Sequence, residues 1–210
     1  MTAGGMFQNR MSAADARMHA CRSCDSYSMY SAVTVAATLS KLTGEAAQLA
    51  DCCVGLSLPL LEILITRLPV QPAIILSIGC GTGILEALLL HRTSGQLNIF
   101  GVEVPSCVNK YLPRKKLLEV PDTASIHPDA MLASTLMFAY PRQPSLVAKY
   151  LEGSIDGALE QVIWVGHRSD WADVDVLLRA AFHNLEIIED LGVAAYELVV
   201  VASLPKALQC

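Results

Sequence analysis

Clustered positive charge is missing from this sequence, and its absence narrows the range of partners. The chain has 210 residues, with 15 Lys and Arg against 20 Asp and Glu, and a formal net charge of −5. Because proteins that bind a nucleic-acid backbone need clustered Lys and Arg, we expect neither DNA nor RNA as a partner. The densest basic cluster, Arg114-Lys115-Lys116, is typical of a solvated helix end.

Long apolar runs are also missing, although 53% of the residues are hydrophobic. The most apolar candidate, residues 56–68, contains Pro59, Glu62 and Arg67 and is too short to cross a bilayer. The N-terminus has no charged start followed by an apolar stretch, so we expect no signal peptide and no membrane span. The apolar content favours a sheet covered on both faces, and it leaves open a homodimer that hides part of the surface.

The sequence has no even set of cysteines that would build a disulfide framework. Seven cysteines, an odd number, predict a reducing compartment and therefore a cytoplasmic location. Cys21 and Cys24 have the spacing of metal ligands, but the later pair, Cys52 and Cys53, is adjacent, which is poor geometry for one ion. We therefore predict no metal site.

The clearest positive signal is a glycine-rich turn after an apolar segment. Residues 74–78 are typical of a buried parallel strand, and Gly79, Gly81 and Gly83 follow before a helical pattern begins. Glycine lets the backbone approach a ligand closely, and a helix N-terminus offers unpaired N–H groups. A dinucleotide-binding loop needs glycine where Ile84 stands, and a phosphate-binding loop needs a Lys that is absent here.

The eight residues 76–83, Leu-Ser-Ile-Gly-Cys-Gly-Thr-Gly, resemble motif I of the class I, seven-strand S-adenosylmethionine-dependent methyltransferases. In that family the loop surrounds the amino-acid end of the cofactor and the edge of its ribose. The resemblance extends over residues 72–203. It implies S-adenosylmethionine as the cofactor, bound by the following loop residues: Ser77, Gly79, Cys80, Gly81, Thr82 and Gly83.

An acidic residue after the next predicted strand extends the resemblance. Residues 97–104 form a short apolar run that reaches Glu103, about 20 residues after the last glycine of the loop. A carboxylate at the end of a strand at this spacing can accept hydrogen bonds from ribose hydroxyls, as the acid of the family does. We predict that Glu103 and the adjacent Val104 bind the cofactor.

A second acid is predicted at the adenine. Residues 123–130 are interpreted as a third strand that ends in Asp129 and Ala130, where the family usually has an acid that meets the adenine amino group. Pro128 replaces the glycine that often precedes this acid. Asp122, which follows Pro121, is the competing candidate.

The fourth predicted strand, residues 134–142, has a C-terminal tip that departs from the family. Many amine methyltransferases carry Asp/Asn-Pro-Pro-Tyr/Phe here, whereas this chain has Tyr140-Pro141-Arg142. Methylation of a base or an amide by that mechanism is therefore not expected. We assign Tyr140 to both the cofactor and the substrate, and Arg142 to an acidic substrate.

The remaining pattern predicts the topology. Helices are expected at 143–153 and 173–181, and strands at 161–166, 185–189 and 196–202. The connection between the last two strands is too short for a parallel crossover, so they must form an antiparallel hairpin. The predicted fold is α/β: a doubly wound, mostly parallel seven-strand sheet in residues 71–210.

The first 70 residues are predicted to be a helical extension, with one helix, or two separated by a break at 39–44, in residues 29–50 and another helix at 59–68. Methyltransferases of this type commonly use such a segment as a lid, so Tyr27 and Tyr30 are assigned to the substrate. His167 follows the fifth predicted strand at the sheet edge where ligands bind in open α/β folds. Histidine is the residue type best suited to proton transfer near neutral pH, so His167 is the candidate general base and a further substrate contact, with His127 as the alternative base.

These observations predict methyl transfer from S-adenosylmethionine to a small molecule, with oxygen, nitrogen or carbon as the accepting atom. Two alternatives stay open. The chain can bind S-adenosylmethionine without methylating, as a rearrangement catalyst or a sensor. It can also be a non-catalytic interaction protein on a relic methyltransferase fold.

Overall fold

The computed structural model describes residues 22–189 and 192–205, with backbone alone for residues 22–30. Within these ranges no helix has both the length and the apolar character needed to cross a membrane. The helices and strands, in chain order, are α1 (Arg22–Leu39), β1 (Ala47–Gln48), β2 (Gly55–Leu56), α2 (Leu58–Arg67), β3 (Ile74–Ile78), α3 (Ile84–Arg92), β4 (Asn98–Glu103), β5 (Leu117–Glu119), β6 (Thr135–Ala139), α4 (Pro144–Ser154), β7 (Gln161–His167), α5 (Trp171–Ala181), β8 (Asn184–Ile188) and β9 (Glu197–Ser203).

Seven strands form one sheet in the order β5-β4-β3-β6-β7-β9-β8. Strands β3 to β7 run parallel, and β9 pairs antiparallel with both β7 and β8. The predicted seven-strand, mostly parallel sheet with a reversed C-terminal hairpin is confirmed. Chain order reverses on the two sides of β3, which places the ligand-binding crevice of an open α/β sheet beyond the carboxyl ends of β4, β3 and β6.

The central strands are covered on both faces, and alternate residues enter two separate cores. Ile75 and Met137 face the core that contains α1, α2 and α3. Leu76 and Leu136, their neighbours along β3 and β6, face the core that contains α4 and α5. Burial on both faces explains why these strands appear in the sequence as continuous apolar runs.

In residues 31–50 the helix ends at the predicted break, but a short strand rather than a second helix follows it. Helix α1 ends at Leu39, and Ala47–Gln48 is a strand that pairs with Gly55–Leu56. A local turn lies between the helix and this strand, where the Thr43 hydroxyl accepts the Glu45 N–H at 3.2 Å. The helix predicted at 59–68 is confirmed as α2, and the Ser57 hydroxyl caps it by accepting the Leu60 N–H at 3.0 Å.

The third strand lies elsewhere than predicted. Residues 123–130 do not form a strand; the third strand is β5, Leu117–Glu119, and Pro128–Leu132 is a 3₁₀ helix. Pro121 and Pro128 each lack the N–H that a ladder requires, which disfavours a strand between them. The His127 ring nitrogen Nδ1 accepts the Asp129 N–H at 3.2 Å and starts the 3₁₀ turn, so Asp129 lies within that turn rather than at a strand end.

The glycine at the start of α3 gives a test of the packing around this turn. Gly83 has φ of 80°, and an added Cβ would lie 2.8 Å from Leu112 Cγ. We expect Gly83→Ala to lower the free energy of unfolding by about 2–4 kcal/mol, because left-handed strain adds to overpacking. Gly95→Ala is the matched control: its φ is 76°, but nothing lies within 4 Å of the added Cβ.

The control should lose only about 1 kcal/mol, the cost of the backbone strain. Urea unfolding of both variants measures the difference. Equal losses in the two variants would contradict the close packing of Leu112 against Gly83.

Candidate functional site

A cavity of about 620 Å³ opens beyond the carboxyl ends of β3, β4 and β6. This volume lies in the range of small-molecule sites. The ends of these strands, the loops after them, the segment after β5 and helix α4 supply the lining, and Cys53 of the N-terminal extension completes it. A second, smaller cavity of about 290 Å³ lies beside α1, residues 47–51 and Ile84, and none of the three glycines of the turn after β3 lines it.

The glycine turn after β3 has a conformation that side chains disfavour. Gly79, Gly81 and Gly83 have φ of 73°, 58° and 80°. A Cβ added at Gly79 or Gly81 would meet nothing within 4 Å, so these two glycines face the open space of the cavity. The turn therefore presents bare backbone to whatever occupies the cavity.

The carboxylate of Glu103 faces this turn from the end of β4. Its Oε2 accepts the Gly81 N–H at 2.7 Å, and its Oε1 accepts the Val104 N–H at 2.9 Å. Both Glu103 and Val104 line the cavity. Because a carboxylate has about four lone-pair sites, Glu103 retains capacity to accept hydrogen bonds from a ligand.

Thr82, another residue of the motif I loop, forms hydrogen bonds within the protein. Thr82 Oγ donates to the backbone oxygen of Asp51 at 2.8 Å, and the Thr82 carbonyl accepts the N–H groups of Lys110 and Tyr111. Asp51 in turn binds Lys110 Nζ at 2.6 Å and the Tyr111 hydroxyl at 2.7 Å. These two hydrogen bonds hold the pKa of Asp51 below its usual range. Thr82 thus ties the turn to the N-terminal extension.

Cys80 packs against the neighbouring strand rather than lining the cavity. A Cβ added at Gly101 of β4 would lie 2.5 Å from Cys80 Sγ, so glycine is required there. Burial raises the pKa of the Cys80 thiol, which keeps it protonated. The side chain fills the gap between the turn and β4.

Ser77 lies beneath the turn and binds a buried acid. Its hydroxyl donates to Glu86 Oε1 at 2.5 Å, and the other carboxylate oxygen of Glu86 has no hydrogen-bond partner in the described part of the chain. Glu86 is only 1% exposed, and burial raises its pKa to about 7. Neither residue lines the cavity.

The structure distinguishes between the two acidic residues that are candidates for the adenine contact. Asp122 lines the cavity, whereas Asp129 and Ala130 do not, and Ala130 is buried in the core beneath α4. Asp122 Oδ1 accepts the Ala124 N–H at 2.8 Å and the Ser125 hydroxyl at 2.9 Å. These bonds hold the pKa of Asp122 below its usual range, with the Ala124 bond the larger cause.

Tyr140 lines the cavity at the end of β6 in an uncommon conformation, with φ of 54°. Its N–H donates to the Val165 oxygen at 2.7 Å, and its hydroxyl donates to Glu197 Oε1 at 2.7 Å. Burial, and then the bond to Glu197, raise the pKa of Tyr140. Glu197 was not among the site residues predicted from the sequence. Its only local signal is that an acidic residue stands at the start of an apolar strand.

The remaining predicted residues divide between the cavity and its surroundings. Arg142 lines the cavity and, among the described lining residues, is the one with a positive charge. His167 lies outside the lining at the end of β7, stacked on Tyr196 with ring centres 5.7 Å apart. Tyr27 and Tyr30 lie in α1, and their side chains fall outside the described residues.

Comparison with known proteins identifies the fold. The sequence matches no protein-family model and no curated protein. Among solved structures, the apo S-adenosylmethionine-dependent methyltransferase SibL superimposes with a TM-score of 0.51 at 17% identity, covering 70% of this chain and 55% of that one. This chain therefore spans about half the length of SibL.

This chain covers almost the whole length of two further solved structures. Precorrin-6y C5,15-methyltransferase from Geobacter metallireducens has a TM-score of 0.52 at 10% identity, covering 76% of this chain and 95% of that one. Precorrin 8W decarboxylase from Methanobacterium thermoautotrophicum has a TM-score of 0.53 at 11% identity, covering 78% and 99%. The chain has the class I S-adenosylmethionine-dependent methyltransferase fold. In this methyltransferase fold, the cavity lies where the order of the parallel strands reverses.

The buried acid beneath the turn gives a prediction of pH dependence. The folded-state pKa of Glu86, about 7, lies above its ordinary value of 4.5, so between these values the folded protein binds the proton that the unfolded chain has lost. Stability is therefore lost as pH rises through this interval, by about 3 kcal/mol in total. We expect Glu86→Gln to lack this loss.

Urea unfolding of both proteins across the interval measures the effect as a difference between the two curves. The stability of the variant relative to the natural chain should rise with pH and level off above the folded-state pKa. A difference that is constant with pH would contradict a neutral, buried Glu86.

Proposed function

We propose that this chain is an S-adenosylmethionine-dependent methyltransferase that acts on a small molecule. One observation carries the proposal: the carboxylate of Glu103 meets the bare backbone of the glycine turn, with 2.7 Å from Gly81 N to Oε2, at the edge of a 620 Å³ cavity. This arrangement fits a nucleoside cofactor, with its ribose against the carboxylate and its amino-acid part against the bare backbone.

The lining residues fit the cofactor from end to end. Glu103 would accept the ribose hydroxyls, and Gly79 and Gly81 would lie against the amino-acid part. Asp122 lines the cavity after β5 and would accept the adenine amino group, a role that the sequence assigned first to Asp129. When bound, the cofactor supplies a methyl group on a positively charged sulfur that is already activated for displacement.

The protein's contribution to such a displacement is alignment. Positioning of two reactants can supply several kcal/mol of the barrier. The residues that can position an acceptor follow β6: Tyr140 and Arg142 line the same cavity as the glycine turn. The arrangement gives no support to His167 as the base, because its ring is stacked on Tyr196 outside the cavity lining.

A small-molecule acceptor is supported by charge and by size. The net charge is −5, and in the described cavity lining Arg142 is the one cation, which is a poor footprint for a nucleic-acid backbone. The odd number of cysteines in the sequence, seven, is the support for the proposed reducing, cytoplasmic location. The homodimer, the lid and the boundary at residue 70 stay predictions.

The cofactor site is tested by calorimetry with S-adenosylhomocysteine. We expect Glu103→Gln to weaken binding by about 10- to 100-fold, because a charged acceptor of two ribose hydrogen bonds is lost. The matched control is Glu119→Gln, since Glu119 is the register partner of Glu103 on β5 and does not line the cavity. No heat with the natural chain, or equal losses in both variants, would overturn the proposal.

The adenine position is tested by comparing two acids. Asp122→Asn should weaken S-adenosylhomocysteine by about 3- to 10-fold, because the amide is a poorer acceptor for the adenine amino group. Asp129→Asn should leave the affinity unchanged, since Asp129 lies in the 3₁₀ turn outside the cavity. Calorimetry under the same conditions decides between the two residues, and the reverse order would restore Asp129.

A further inference from the structure

Glu197 is a buried acid that the proposed cofactor site does not use. It is 0% exposed at the start of β9, and its Oε1 accepts two hydrogen bonds, from the Gly55 N–H at 2.9 Å and from the Tyr140 hydroxyl at 2.7 Å. Its Oε2 has no partner among the described residues. Burying a carboxylate is costly unless hydrogen bonds compensate it. The placement of Glu197 therefore calls for an explanation beyond packing.

Oε1 of Glu197 is the acceptor in both hydrogen bonds, which gives the direction of the Tyr140 hydroxyl. The Gly55 N–H can only donate, so Oε1 is an acceptor at this site. A phenol has one proton, and Tyr140 donates it to the same Oε1. The oxygen of Tyr140 consequently offers only lone pairs to any group that approaches it from the cavity.

Tyr140 is held in this orientation at both ends. Its φ of 54° is in the left-handed region, which an aromatic residue rarely adopts and which costs about 1–3 kcal/mol. The bond from its N–H to the Val165 oxygen fixes the backbone, and the bond to Glu197 fixes the ring. Strain that is maintained by surrounding contacts is found at functional sites.

The order of the strands places this pair beyond the cofactor end of the cavity. The glycine turn follows β3 and Glu103 ends β4, whereas Tyr140 follows β6 on the opposite side of β3. Glu197 lies two strands further, on β9. A molecule that extends from the turn away from Glu103 therefore meets Tyr140.

We propose that the methyl acceptor carries a hydroxyl or amino group whose hydrogen is accepted by the Tyr140 oxygen, and that Glu197 is the positioning residue that turns the phenol proton away from the cavity. This inference rests on the proposed function and names the substrate class of the same site. An ether, which has only lone pairs to offer, finds no donor at Tyr140. A phenolate role for Tyr140 is disfavoured, because burial and Glu197 both raise its pKa.

A pair of probes that differ only in the relevant hydrogen tests the proposal. 4-Fluorophenol and 4-fluoroanisole are titrated into the full chain saturated with S-adenosylhomocysteine, and binding is followed by fluorine NMR. We expect the phenol to bind about 3- to 10-fold more tightly than its methyl ether, the effect of one hydrogen bond. Equal affinity, tighter binding of the ether, or no binding of either probe would overturn the proposal.

Three variants separate the role of Glu197 from a merely structural one. Tyr140→Phe should abolish the preference for the phenol. Glu197→Leu should abolish or reverse it, because the freed hydroxyl can donate to the ether oxygen. Glu197→Gln should retain it, because the amide oxygen can take the place of Oε1 and the NH₂ group that of the unpartnered Oε2. A preference unchanged in Tyr140→Phe would overturn the proposal even if the Leu variant fails to fold.

The control variant is Tyr196→Phe. Tyr196 is adjacent to Glu197 in sequence, its hydroxyl donates to Gln48 Oε1 at 3.1 Å, and it does not line the cavity. Its preference for the phenol should match that of the natural chain. If S-adenosylhomocysteine itself fails to bind, the proposed function fails. If it binds and the probes are not distinguished, only the assignment of Tyr140 and Glu197 fails.

Discussion

The hydrogen bond from the Gly81 N–H to Glu103 is the interaction on which the site depends. It joins the turn after β3 to the end of β4, on one side of the point where strand order reverses between β3 and β6. The bond requires a turn with positive φ at three glycines, and it requires Gly101 so that Cys80 can lie against β4. A side chain at any of the three turn glycines would strain the positive φ of the backbone, and one at Gly101 would overlap Cys80.

Two buried acids support the loops that surround this interaction. Glu86 holds Ser77 beneath the glycine turn, and Glu197 holds Tyr140 and Gly55 on the opposite side. Each has one carboxylate oxygen without a partner in the described chain, and each is at most 1% exposed. An apolar residue in place of either acid would avoid the desolvation cost of a buried carboxylate. We therefore interpret both acids as constraints on the positions of these loops rather than as sources of stability.

Periodicity and connection length were sufficient to predict the sheet, because residues buried on both faces form continuous apolar runs and short connections exclude a parallel crossover. Local chemistry was harder to weigh. Because of the two prolines and the turn at Asp122, the third strand of the sheet is Leu117–Glu119 rather than the predicted residues 123–130. Asp122 therefore lines the cavity in the place that was predicted for Asp129. Glu197 was beyond prediction, because its partners Gly55 and Tyr140 lie 142 and 57 residues away in sequence.

The contrast between His167 and Tyr140 shows how strand order decides which loop reaches a ligand. Both residues stand at the carboxyl ends of parallel strands, as the general rule for open α/β sheets requires. However, β6 is adjacent to β3, whereas β7 is one strand further away and pairs with the antiparallel β9. The segment before β9 brings Tyr196 over the His167 ring. The His167 ring is thereby held against Tyr196, whereas the end of β6 faces the cavity.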